Sequence, residues 1–379
     1  MKKVLFVTND FGPDAGGIES FIVGLVERLP SDSVTVYTSS QGDTSGYDSQ
    51  WSENYGVMVI RDRARMLLPT PRVGRTLKKL VQQEKFQVAC FGAAVPLGLL
   101  APTLRKAGIP RIISLTHGHE VWWAKVFPFA LALRRVGQSV DVLTYLGDFT
   151  RRNISVALSP KARGAMVRIA PGVDVAHFRP DGASSKLRVE LGLSDKLVIV
   201  SVGRLVPRKG QDRLIQALPL IASTIPNVHL LLVGEGNYRK SLEKLVDENK
   251  VKDHVTFIGR VPNDQLPKYF RCGDIFAMPS RSRLAGLEVE GLGIVYLEAS
   301  GCGLPVIAGN SGGAPDAVVD GVTGIVVDGT NINAIAAAIV RVLSDPAKRK
   351  AMGAAGNEWV SSNWNWEIWS AKFAQLLGI

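Results

Sequence analysis

Two carboxylates with seven residues between them, Glu290 and Glu298 in the stretch EGLGIVYLE, have the type and spacing that point most directly to chemistry. A helix beginning near Gly293 leaves Glu290 in the loop before it and Glu298 inside it. At 1.5 Å of rise per residue they are then at most about 12 Å apart. A pair of glycosidase carboxylates needs roughly 5 to 9.5 Å, so the spacing argues against paired acid and base work. It suits a ligand laid along the helix start. The N–H groups of Gly293, Ile294 and Val295 would take a phosphate, Glu298 ribose hydroxyls and Glu290 a sugar. On its own, Glu298 could equally be a surface residue.

Three cations fall within six residues in GRLVPRKGQD, where Arg204, Arg208 and Lys209 are stiffened by Pro207 and closed by Gly210. They repel one another unless an anion lies among them. A diphosphate would satisfy Arg204 as a fork and Lys209 as a point charge; the alternative is a solvated turn. Near the start, NDFGPDAGGIES places Gly16 and Gly17 before a helix, where they form a phosphate cradle or only a turn and cap. In THGHE, at the end of an expected strand, two imidazoles and the Glu120 carboxylate reach the cleft rim, and His117 could meet a substrate hydroxyl or serve as a cap. A metal is a poor fit, because H-x-H-E brings no distant third ligand and His177, His229 and His254 sit in unrelated contexts.

Several chemistries fall away. GNSGG at 309–313 matches a nucleophile elbow, but that order needs a later histidine and all five precede Ser311. It reads instead as a Gly-rich loop near phosphate or sugar. No G-x-G-x-x-G occurs, against a dehydrogenase, and no D-x-D occurs to hold a divalent ion on a sugar nucleotide. The scattered Cys90, Cys272 and Cys302 fit a reducing cytosol.

The elements that carry these residues are short β-branched strands alternating with helical stretches throughout. Strands are expected at 4–8, 34–38, 57–60, 88–91, 112–116, 142–145 and 168–170, then at 198–202, 230–233, 255–258, 275–278, 306–308 and 325–327. This predicts an α/β chain of two Rossmann-like domains facing a central cleft, with ligands beyond the carboxyl ends of the strands. The boundary is expected in 171–186, rich in Pro, Gly, Asp and Ser. The amphipathic tail is expected as a helix over 362–379 returning to the first domain. That gives 1–172 plus the tail as the N-terminal domain and 173–361 as the C-terminal domain. The charge-free run 86–104 is near membrane-span length, but its glycines and prolines favour a strand, a turn and a helix entered near Pro96. The five-residue apolar run after Lys3 is too short for a signal segment and reads as a first strand.

Charge adds a direction. The net +11 is lopsided: residues 1–176 hold 22 Lys and Arg against 14 Asp and Glu, and the remainder 23 against 20. An anionic partner follows. Arg61, Arg63, Arg65, Arg72, Arg75, Lys78 and Lys79 cluster with only Asp62 opposing. Val73, Leu77, Leu80 and Val81 form an apolar face there that belongs either on a sheet or on a bilayer. Trp122, Trp123, Phe127 and Phe129 add an interfacial patch or core. A nucleic-acid binder is disfavoured, since no aromatic-basic binding motif is present.

Together NDFGPDAGGIESF, FGAAVPLGLLAP, THGHEVWW, GRLVPRKGQD, DIFAMPSRSR, EVEGLGIVYLEA and PVIAGNSGGAP run nearly end to end. They resemble the retaining GT-B glycosyltransferases, more closely the actinobacterial GDP-mannose-dependent phosphatidylinositol mannosyltransferases, and above all those acting on the monomannoside. The resemblance implies α-1,6 mannosyl transfer from GDP-mannose. No cofactor or metal requirement is implied. It also implies a phosphatidylinositol mannoside acceptor and a cytoplasmic place on the anionic inner face of the membrane, with no nucleic acid. Gly16 and Gly17 would approach the diphosphate, Arg204 and Lys209 bind it, and Glu298 hold the ribose. Glu290 and His117 would face the mannosyl hydroxyls as catalytic residues. Arg260 and Val261 match the region for the base, and Asp10 and Arg208 the acceptor side. The first domain would take the acceptor and the second the nucleotide-sugar donor, with retention at the anomeric carbon; since no second carboxylate is evident as a nucleophile, front-face displacement is favoured, with the departing phosphate assisting deprotonation. Trp122-Trp123 and Leu284-Ala285 depart from the family pattern near the expected acceptor. Another acceptor, or a nucleotide-sugar epimerase of the same fold, stays open.

Overall fold

Parallel strands buried on both faces read as unbroken apolar runs rather than alternating ones, and most of the thirteen described strands do so, while Met58–Arg61 and Val167–Arg168 at the sheet edges are only partly buried. The computed structural model describes residues 2–13, 16–181 and 185–379. It forms two compact units, one running to Gly172 and including Trp366–Ile379, the other spanning Val173–Asn365. Part of the expected linker, 182–184, lies outside the described residues, as do Asp14 and Ala15 of the first glycine motif.

The first unit holds β1 (Val4–Val7), β2 (Val34–Thr38), β3 (Met58–Arg61), β4 (Val88–Phe91), β5 (Arg111–Ser114), β6 (Val142–Tyr145) and β7 (Val167–Arg168). They order as β3-β2-β1-β4-β5-β6-β7, all parallel, with Val4 opposite Val34 on one side and Val88 on the other. The second holds β8 (Leu197–Val202), β9 (Val228–Val233), β10 (Val255–Gly259), β11 (Ile275–Met278), β12 (Val306–Gly309) and β13 (Gly324–Val327), ordered β10-β9-β8-β11-β12-β13. Each sheet reverses its winding beside its own first strand, between β1 and β4 and between β8 and β11. In doubly wound sheets such points open a crevice at the strands' carboxyl ends.

The charge-free run resolves into β4, a 3₁₀ turn at Leu97–Leu100 and a helix at Ala101–Lys106. No helix among the described residues is long and apolar enough to cross a membrane. The helix Pro71–Glu84 turns its apolar face inward: Val73, Leu77 and Val81 belong to the first unit's core. The bilayer alternative for that face is therefore corrected. The basic cluster is also thinner than its sequence implies, since Arg61 pairs with Asp48 at 2.7 Å and Arg72 grips Asp62 through both terminal nitrogens at 2.8 and 2.7 Å. Arg63, Arg65, Arg75, Lys78 and Lys79 remain exposed beside the exposed Met66 and Leu68.

The tail expected as one helix over 362–379 is two. Trp364 is buried in the second unit and passes its carbonyl to the Val173 N–H at 2.7 Å, which ends the helix Pro346–Asn363. A new helix, Trp366–Leu377, belongs to the first unit. Its Trp366 ring lies under Arg28 at 4.7 Å and where Gly24 has no side chain, since a Cβ there would stand 2.3 Å from the indole. Phe373 is wholly buried with its ring 6.3 Å from Phe6 of β1. Phe373→Ala should lower the stability of the first unit by about 3–5 kcal/mol, seen as an earlier denaturant midpoint; an unshifted midpoint would show that the helix is only appended.

Candidate active site

The second unit gathers its charged groups at the carboxyl ends of β8 and β11. After β8 the chain passes Gly203, makes a 3₁₀ turn at Pro207–Lys209, and enters the helix Gln211–Ala222 through Gly210 at φ 80°. A Cβ on Gly210 would lie 2.2 Å from the Pro279 carbonyl oxygen, so this turn rests directly on the loop after β11. That contact brings Lys209, itself buried, to Glu290: Nζ stands 2.8 Å from Oε2, and Arg208 Nε stands 3.8 Å from the same oxygen. Arg208 also faces Glu288 at 3.8 Å. Burial alone would push the Glu290 carboxyl up. Lys209, then Arg208 and Arg204, outweigh it and hold the group below the usual carboxylate range.

The internal anion that the three cations require is thus Glu290 itself. Its Oε2 and Arg208 Nε are buried without an aligned hydrogen-bond partner, as is Gln211 Oε1. Lys209 Nζ is within hydrogen-bonding distance of Glu290 Oε2, while Arg208 Nε at 3.8 Å meets it through charge alone. Buried polar atoms are normally satisfied, so this cluster keeps capacity for hydroxyls and phosphate oxygens.

Glu290 is fixed by close backbone packing. Gly313 N–H donates to its carbonyl at 2.8 Å, and its own N–H donates to Ser311 Oγ at 3.3 Å. A Cβ on Gly312 would lie 2.1 Å from the same carbonyl. The Gly-rich loop 309–313, read from sequence as facing phosphate or sugar, therefore uses these glycines to seat the Glu290 backbone. Ahead of it, Leu284, Ala285 and Gly286 all have positive φ, at 50°, 53° and 82°, between Arg283 and Glu288, which pair through backbone and through a 3.0 Å ion pair. Gly293, at φ 78° against the Tyr296 ring, then starts the helix Ile294–Gly301. No side chain caps that start, so Gly293, Ile294 and Val295 stand where the sequence places them. Glu298 lies inside the helix, partly buried, its carboxyl pushed up to about 7 by burial. Arg260 and Val261 follow β10 at the sheet edge, and among the described residues no hydrogen bond or ion pair joins them to the Glu290 cluster.

The first unit carries a second polar group at the ends of β1, β4 and β5. His117 is buried; its Nε2 meets the Gly92 carbonyl, and its ring stands edge-on to Phe21 at 5.6 Å. A carbonyl only accepts, so Nε2 carries the proton and Nδ1 is left as an acceptor. Burial lowers the imidazole's affinity for a second proton. Glu120 corrects the expectation that its carboxylate reaches the rim. It is fully buried, and Oε2 accepts from the His117 and Gly118 N–H groups at 2.9 and 3.1 Å. It holds the loop rather than a ligand.

Asp10 has its carboxyl pushed up to about 6, by burial first and then by Glu19. Gly16 precedes the helix Gly17–Val26, with the Glu19 carboxylate folded so close that a Cβ on Gly16 would stand 2.2 Å from it, while Gly17 is exposed and open. Among the described residues no group of three or more His, Cys, Asp or Glu side chains could hold a metal ion. A hollow of about 720 Å³ beside Arg105, Asp141 and Lys161 lies at the amino ends of β5 and β6 and contains none of the candidate site residues. Asp212 and Arg281, whose role the sequence leaves unread, pair at 2.8 Å beside the cation turn.

Comparison with known proteins covers both units. Residues 184–359 match the family of glycosyl transferases group 1, and residues 15–177 match glycosyltransferase family 4. A Mycolicibacterium smegmatis protein named GDP-mannose-dependent alpha-(1-6)-phosphatidylinositol monomannoside mannosyltransferase is 44% identical over 99% of this chain and 98% of its own. A Corynebacterium glutamicum relative, named for the monoacylated form of that acceptor, is 39% identical over 99% and 98%. The crystal structure of Anabaena Alr3699/HepE in complex with UDP superposes with a TM-score of 0.83 at 20% identity, covering 99% of each chain. That likeness concerns the fold.

Two outcomes follow from the geometry. Ala285→Gly should stabilise the second unit by about 1 kcal/mol, because a non-glycine residue is strained at positive φ; an unchanged or lower denaturant midpoint would contradict it. A carboxyl raised from near 3.8 to about 6 binds its proton more tightly folded than unfolded, so stability falls as pH rises between those values. Asp10→Asn should therefore be more stable than the parent above pH 6, with the gap closing near pH 4.

Proposed function

Because the chain belongs to the group 1 glycosyltransferases, in which two Rossmann-like units make the GT-B fold, we propose that it moves mannose from GDP-mannose to phosphatidylinositol monomannoside, forming an α-1,6 linkage with retention. What carries the reading is the end-to-end identity to relatives named for that reaction, combined with a buried Lys209–Glu290 contact among cations at a strand's carboxyl end.

The roles follow from charge. Arg204 and Lys209 take the donor diphosphate, with the uncapped amides of Gly293, Ile294 and Val295 aimed at the same oxygens. As phosphate engages Lys209, the Glu290 carboxylate turns to the mannosyl hydroxyls. Glu298 accepts from the ribose, Arg260 and Val261 border the base, and Gly16 and Gly17 bring backbone close to the diphosphate. His117 Nδ1 accepts from a mannosyl hydroxyl, while Asp10 and Arg208 serve the acceptor's inositol and phosphate. The bond from the anomeric carbon to phosphate breaks as the bond to the acceptor oxygen forms on the same face. The acceptor proton passes to the departing phosphate, and the chain's own cations carry the leaving charge without a metal.

The acceptor is a phospholipid, so the enzyme works peripherally at the anionic inner face of the membrane. Arg63, Arg65, Arg75, Lys78 and Lys79 supply the attraction, at about 1 kcal/mol each, without the apolar face of their helix.

Purified protein should transfer mannose from GDP-mannose to a phosphatidylinositol mannoside extract in the presence of a chelator; no transfer with GDP-, UDP- or ADP-sugars would reject the reading. Glu290→Gln should lower kcat by about 100-fold, and Glu298→Ala should weaken GDP binding by about 10-fold, both by calorimetry and turnover. Reversing Arg75, Lys78 and Lys79 to Glu should abolish sedimentation with anionic vesicles while leaving GDP affinity intact.

A further inference from the structure

Crowding three cations into one turn, two of them for the donor diphosphate, requires something to hold their backbone while they repel one another. In this chain that work falls to the first turn of the helix Gln211–Ala222 and to one arginine from a different loop. Gln211, buried, donates from Nε2 to the Arg204 carbonyl at 3.3 Å. Asp212, also buried, receives both terminal nitrogens of Arg281, at 2.8 Å each. Arg281 in turn donates its backbone N–H to the Arg208 carbonyl at 2.9 Å. The Arg281–Asp212 fork thus fastens the segment after β11, which leads to Glu290, to the turn after β8, which carries Arg208 and Lys209. Gly210 adds the close contact with Pro279 between them.

We propose that the Arg281–Asp212 pair is a positioning device for the donor diphosphate. By tying the Arg208 carbonyl to the loop that bears Glu290, it sets the direction in which Arg204 and Lys209 point. The two side chains are only 12% and 9% exposed. A buried ion pair of this kind is a poor source of net stability, since apolar residues of similar volume commonly replace one at no loss. Its geometry is another matter: a bidentate fork fixes both distance and angle between two segments, which an apolar contact does not. Asp212 also neutralises Arg281, so the charge left over in the turn is that of the residues assigned to the ligand. The inference rests on the donor reading above for the identity of the anion.

The test separates position from stability. Asp212→Leu with Arg281→Met replaces the pair by apolar volume, and Arg281→Lys keeps the charge while losing the fork. Thermal melts and calorimetry with GDP, UDP and ADP are run on the parent and on both variants. Both variants should melt close to the parent, yet bind GDP at least ten-fold (double) and five-fold (lysine) more weakly. KM for GDP-mannose should rise by similar factors and kcat should change less. GDP affinity within two-fold of the parent in either folded variant would overturn the proposal. Should the double variant fail to fold, the lysine variant alone decides. A parent that transfers no mannose but binds another nucleoside diphosphate counts against the donor reading only, and the same factors are then read with that nucleotide; a parent that binds none overturns both.

Discussion

A lysine buried beside two arginines crowds three positive charges into one turn, and the contact of Lys209 with Glu290 sets an anion among them. Much of the second unit's site serves this contact. Gly210 lets the turn after β8 lie against Pro279, Gly312 and Gly313 let the Glu290 backbone sit against the loop after β12, and Gly293 lets the chain swing into the next helix above Tyr296. None of these approaches tolerates a Cβ without movement. Beside the pair, Arg208 Nε keeps a buried donor without an aligned partner, so under the proposed function an incoming phosphate has hydrogen-bonding capacity to meet there.

The first unit solves a related problem with a neutral group. His117 is kept from a second proton by burial and oriented by the Gly92 carbonyl, while Glu120 ties down the backbone beneath it. An imidazole held in this way offers one acceptor in one direction. It suits a hydroxyl donor better than it suits proton transfer near neutral pH.

The strands were legible because parallel, doubly covered strands leave continuous apolar runs, and the positions of Glu290 and Glu298 around a helix start at Gly293 followed from that rhythm. What stayed hidden depends on distance in the chain. Arg281 and Asp212 are 69 residues apart, and no spacing rule joins them. Trp364 looked like the first residue of a tail helix because its burial in the second unit is a tertiary fact. The stripe Val73, Leu77 and Val81 has the same pattern whether it meets a sheet or a bilayer, and only the packed core distinguishes them. The three successive positive φ values at 284–286 carry a single glycine to announce them.

The passage of the chain out of the first unit at Val173 and back at Trp366 has a consequence for synthesis on the ribosome. The second unit is one continuous stretch and can close as soon as it has emerged. The first unit appears earlier yet must wait, because Phe373 and Trp369, which are buried in it, follow the whole second unit in the chain. The order of completion is thus the reverse of the order of synthesis. A chain interrupted after Asn365 would keep every cation and carboxylate of the second unit and still leave the first without part of its interior.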